Sequence, residues 1–245
     1  MTARLRRLVR RSRLAAVRAG PDRPARSRRR LALEVGLAST IAAFILLPIQ
    51  ASAAGGFAYD TYFTSAYERQ IDSRTCVAAS TAMMMNILNG RDLNLNQMTI
   101  LRYAQTHDAL NDATQRGSDP LGWAAAATRF SRYTIRPTTY RWEAYATEAA
   151  ALQRAAFQIT RYGKAVGMLV QHGGHAVVMN GFTSTKNPLN GTFKVTGVWV
   201  SDPYGARNTY YSAAGSPLDT YRQLDATTQY DQAWYGKYII IVPQN

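Results

Sequence analysis

At Gly163 the pattern of this chain changes. Upstream of it, apolar residues recur at helical spacing or in Ala-rich runs; downstream, short apolar segments are separated by Gly, Pro, Asn and Asp. Residues 75–88 read as a helix built on Ala78, Ala79, Ala82 and the consecutive Met83, Met84 and Met85. Ser73 or Thr75 can cap it, and Asn89-Gly90 stops it. Residues 94–106 suggest a shorter helix. A third, over 121–130, follows the turn Gly117-Ser118-Asp119-Pro120. Residues 143–162 read as one long Ala-rich helix ended by Gly163. The strands come later, at 165–171, 175–182, 192–201 and 238–242. Helices first and an antiparallel sheet second predict an α+β domain with segregated layers, not alternating βαβ units. The sequence has no internal repeat, phosphate-binding glycine loop or paired-cysteine metal spacing, and no metal or cofactor is expected.

Charge separates the chain at a second place. The net charge is +14, but residues 1–53 hold twelve arginines against only Asp22 and Glu34. The remaining 192 residues carry a net of only +4, which gives little reason to expect nucleic acid as a partner. The arginines crowd residues 4–30. An uncharged run from Val35 to Leu47 follows, broken by Pro48, and then Ala51-Ser52-Ala53. A basic region, an apolar region and a small-residue exit make the order of a secretory signal. Ser27-Arg28-Arg29-Arg30-Leu31-Ala32-Leu33 also has the form of a twin-arginine export signal. The alternative is an uncleaved anchor, with membrane association through residues 31–50; the run is short for the roughly 20 residues of a full span. In either case the domain is expected outside. The division expected is a leader over 1–53, a linker over 54–66 and the working domain over 67–245.

Four residues could carry chemistry. Cys76 is the only cysteine, which excludes an intramolecular disulfide. It falls at the start of its helix, where unpaired N–H groups and the dipole favour an anion such as a thiolate. Taken alone it fits equally a small buried side chain among Ala, Val and Met. His175 follows Gly173-Gly174 and opens a strand, a placement from which an imidazole can take a thiol proton. His172 competes from the other side of the glycines, while His107 lies at a polar helix end. Asp202 ends a strand at Asp202-Pro203-Tyr204-Gly205, a good turn in any context and also a place for a carboxylate that orients an imidazole. Gln70, six residues before Cys76, could join the Cys76 N–H in binding an oxyanion.

Together these residues say more than any one of them. The blocks Tyr67-Glu68-Arg69-Gln70-x5-Cys76, Gly174-His175-Ala176-Val177-Val178-Met179-Asn180-Gly181-Phe182 and Val200-Ser201-Asp202-Pro203-Tyr204-Gly205 resemble the papain-like cysteine peptidases. The branch they resemble is that of the bacteriocin-processing, double-glycine-leader peptidases and their exported stand-alone relatives. The resemblance spans residues 62–242. It implies Cys76 as nucleophile, His175 as general base and acid, Asp202 as orienting group and Gln70 as oxyanion donor. It also implies a papain-like fold, with Cys76 at a helix N-terminus packed on the sheet. Two departures stand out: Val77-Ala78 where many relatives have Gly-Pro, and a long interval from His175 to Asp202 that residues 184–191 can absorb.

The expected activity is hydrolysis of a peptide or isopeptide bond through a Cys76 thioester, with a peptide or protein as substrate. Two alternatives remain. One is acyl transfer by the same residues, as in transglutaminases. The other is a non-catalytic peptide-binding module, for which tyrosines such as Tyr210, Tyr211, Tyr221, Tyr230, Tyr235 and Tyr238 could line a groove.

Overall fold

The computed structural model describes residues 56–109, 117–223 and 230–245. The leader over 1–53 and its apolar run lie outside the described residues. Among the described residues, no helix is long and apolar enough to cross a membrane.

The domain is α+β. The order along the chain is β1 (Phe57–Asp60), α1 (Cys76–Asn89), α2 (Gln97–Gln105), α3 (Pro120–Ser131), β2 (Tyr140–Tyr145), α4 (Glu148–Tyr162), β3 (Val166–Val170) and β4 (His175–Ser184). Then come β5 (Val195–Asp202), β6 (Ala206–Ser212), α5 (Asp231–Trp234) and β7 (Tyr238–Pro243). Local chemistry sets the helix ends. The side chains of Asn96, Asp119 and Thr147 accept N–H bonds from Thr99, Gly122 and Ala150 at the starts of α2, α3 and α4. Gly90 and Gly163 close α1 and α4 in left-handed conformations.

The strands form one antiparallel sheet in the order β2-β7-β3-β4-β5-β6, with β1 pairing with β4 beside this path. Helix α1 is buried along all fourteen residues, including Met83, Met84 and Met85. With α2 and α3 it forms one apolar cluster, which takes in Leu169, Ala176, Val178 and Ile241 of the sheet. Helix α4 supplies the other face, where Leu152, Ala155 and Ile159 pack with Met168, Val177, Met179 and Ile240. The central strand β3 is therefore buried throughout, which explains why its Val166-Gly167-Met168-Leu169-Val170 shows no polar alternation.

Three readings of the sequence are corrected. Residues 143–162 are not one helix, because residues 140–145 form β2, paired with β7 from Tyr140↔Pro243 to Tyr145↔Tyr238. Tyr140, Trp142 and Tyr145 favour the pleated surface, and Thr147 starts the helix afresh. Residues 54–66, expected to be a linker, contain β1, which pairs with the end of β4, and Ala66 joins the core. Residues 206–212, given no element from sequence, form β6.

Candidate active site

Cys76 is the first residue of α1, and only 8% of it is exposed. Thr75 occupies the cap position, yet its side chain makes no capping bond to the helix. Its hydroxyl instead accepts the N–H groups of Ile71 and Asp72 and donates to the Asp72 carbonyl. The first turn of α1 therefore keeps N–H groups that no side chain caps, at the positive end of its dipole. Val77 and Ala78, the residues that depart from the Gly-Pro of many relatives, are buried in the core. They pack the helix.

His175 opens β4 and is also 8% exposed. One hydrogen bond registers the helix against the strand: the Ser80 hydroxyl donates to the Ala176 carbonyl at 3.0 Å, buried. Ser80 lies one helical turn beyond Cys76, and Ala176 directly follows His175, so this bond fixes the approach of thiol and imidazole. Cys76 lies near enough to the His175 ring to favour a proton on it. His175 Nε2 meets Asp202 Oδ1 at 2.7 Å, which leaves Nδ1 as the ring nitrogen not engaged by Asp202.

Asp202 is held from its own turn. Its Oδ1 also accepts the Tyr204 N–H at 2.8 Å, and its carbonyl accepts the Gly205 N–H and the Tyr67 hydroxyl. The Arg207 guanidinium lies over the Tyr67 ring, 5.1 Å from its centre. The 184–191 segment does lie between β4 and β5 and accommodates the long His175-to-Asp202 interval.

The electrostatics follow from these contacts. Burial disfavours a charged imidazole at His175. The hydrogen bond that His175 makes to Asp202, the interaction with Cys76 and the charges of both outweigh burial and raise His175 to about 9. Burial would raise the Asp202 carboxyl, but the bonds from His175 and Tyr204 hold it below the usual carboxylate range. An imidazolium held by a carboxylate can exchange its proton with a neighbouring thiolate and keep its orientation while doing so.

Gln70 sits beside this arrangement, half-buried on the loop before α1. Its Nε2 donates to the Asp72 carbonyl at 2.9 Å, which leaves one amide hydrogen free. Its Oε1 is buried without a hydrogen-bond partner among the described residues. His172 does not join the site. It pairs with Asp219 at 2.9 Å on the exposed side of the turn. His107 is exposed and bonds the Tyr103 carbonyl. Sequence reasoning missed Ser80, and it quoted Tyr67 without a role. The hydroxyl of Ser80, one helical turn after Cys76, was the available signal, shared with Thr81 beside it.

No group of three or more His, Cys, Asp or Glu able to hold a metal ion occurs among the described residues. Residues 64–233 match the model of a family described as the Peptidase_C39 like family. No curated protein matches the chain.

Proposed function

This chain belongs to the Peptidase_C39 like family of cysteine peptidases, and from that premise we propose that it is an exported peptidase that cleaves peptide or isopeptide bonds through a Cys76 thioester. The observation that supports this reading is the His175–Asp202 pair at 2.7 Å on the strand that the Ser80–Ala176 bond holds against α1, the helix that Cys76 opens.

With the thiol proton already held by His175, the Cys76 thiolate attacks the substrate carbonyl carbon. The oxyanion that forms lies at the start of α1, where the Cys76 N–H and the Gln70 amide are its donors. As it collapses the C–N bond breaks, and His175 passes its proton to the departing amine. Water then attacks the thioester and gives a proton back to His175. The C–S bond breaks to release the carboxylic acid, and the thiolate is restored. Asp202 holds the imidazole in place and stabilises its charge throughout. The branch is that of the double-glycine-leader peptidases, supported by the three sequence blocks. Removal or membrane retention of residues 1–53 leaves the domain outside the membrane.

The test is to incubate the full chain with a peptide library and follow new termini and Cys76 acyl adducts by mass spectrometry. Cleavage by the wild type and none by Cys76→Ala is expected. Equal products from both would contradict it, and transfer to added amines instead of water would make the enzyme an acyltransferase.

A further inference from the structure

Gln97 brackets Gln70. Gln97 is the first residue of α2 and is 7% exposed. Its Nε2 donates to the Arg69 carbonyl at 2.7 Å, and its Oε1 accepts the Ile71 N–H at 3.2 Å. These are the carbonyl before Gln70 and the N–H after it. In extended backbone such a pair points to one side, while the central residue's own N–H points to the other. The Gln70 N–H does so, donating to the Pro203 carbonyl at 2.9 Å. Gln70 is therefore held like a middle strand, between a side-chain amide and the turn that carries Asp202.

The Ile71 N–H is shared with Thr75 Oγ1 at 3.1 Å, so the same brace reaches the residue directly before Cys76. A near-buried glutamine that spends both ends of its amide on one loop costs side-chain entropy and desolvation. Loop closure alone would not need this. Gln97 is 27 residues from Gln70 in sequence and makes no contact with Cys76, His175 or Asp202 among the bonds described.

We infer that Gln97 is a positioning residue for the oxyanion donor, setting the direction in which the Gln70 amide faces the Cys76 end of α1. The inference rests on Gln70 having the donor role proposed above. Removing an oxyanion donor costs roughly 10²–10³ in rate, and displacing it costs part of that.

The experiment uses the full chain and two reagents. Acylation by p-nitrophenyl acetate, read as the Cys76-dependent burst of nitrophenolate, passes through an oxyanion. In that step the sulfur takes the acetyl group and nitrophenolate leaves. Alkylation by iodoacetamide needs the same thiol and forms no oxyanion. Gln97→Ala is expected to slow the burst about tenfold while leaving alkylation within about twofold. In a Gln70→Ala background the same change is expected to cost less than about twofold more, because its target is gone. Gln97→Glu keeps the acceptor for the Ile71 N–H and loses the donor to Arg69. It supplies the test if Gln97→Ala does not fold, with an expected loss of about threefold. Equal loss in both reactions would overturn the inference and make Gln97 a general support of the loop. A full tenfold loss persisting in the Gln70→Ala background would overturn it as well. An unchanged burst in Gln70→Ala alone would instead remove the donor role of Gln70, a separate and recognisable failure.

Discussion

Two histidine–aspartate pairs stand on either side of one glycine turn, and they do different work. His175 meets Asp202 at 2.7 Å and His172 meets Asp219 at 2.9 Å, so pair geometry does not distinguish them. Surroundings do. The His172 side chain is 51% exposed and the His175 side chain 10%. His172 spends its contacts on the backbone. Its N–H and its Nδ1 both reach Asp219 Oδ2, and its carbonyl accepts from the Arg222 N–H and Gln223 Nε2. Those bonds hold Gln171, His172 and Gly173 in consecutive left-handed conformations, at φ 52, 57 and 86, which costs energy at the two non-glycine residues. The outer pair holds a strained turn, and the inner pair, beside a thiol and away from water, can move a proton. Solvent screening makes an exposed pair worth little beyond such local shape.

The largest way to break this contrast is His175→Ala. It should abolish nearly all peptidase activity, because no other group carries the proton, whereas Asp202→Asn should retain roughly a hundredfold more. Steady-state rates on one cleaved peptide, with folding checked by circular dichroism, decide it. Equal and complete loss in both would give Asp202 more than an orienting role. His172→Ala should leave turnover within about threefold and lower the melting temperature by a few degrees, as the turn loses its tie. Loss of activity without loss of stability would move the proton carrier to the outer pair.

A smaller effect sharpens the lesson that partners decide what a carboxyl does. Asp202 faces an imidazole and is pulled down, whereas Asp108 faces Asp119 at the start of α3. Burial first, and then the Asp119 charge, push Asp108 up to about 8. Folded Asp108 thus keeps a proton that the unfolded chain releases above about 4. Stability from this group falls as pH rises from about 4 to about 8, since the folded state binds the extra proton. Denaturant midpoints across that range should drop in the wild type relative to Asp108→Asn. Parallel curves would mean that Asp108 is ionised in the folded chain.

Much of this arrangement was legible locally. The run from Cys76 to Gly90 carries a helix and its stop, Gly163 marks the change of layer, and Gly173-Gly174 sets His175 at a strand start. The strands that escaped notice, β1, β2 and β6, each pair with a single neighbour. Both β2 and β6 are edge strands with partly exposed aromatics, so neither alternates cleanly between apolar and polar. The supports of the site escaped for another reason. Ser80 reaches Ala176 across 96 positions and Gln97 reaches Arg69 across 28, and a bond between distant residues leaves no periodic trace in sequence.

The central claim is that Cys76 and His175 act as one reactive unit. The rate of iodoacetamide alkylation of the folded full chain at pH 6 tests it most directly. Here His175, raised to about 9, is an imidazolium beside the sulfur. The account predicts rapid, stoichiometric modification at Cys76, slowed at least about tenfold by His175→Ala and unaffected by His172→Ala. Equal rates with and without His175, or modification only after unfolding, would contradict it.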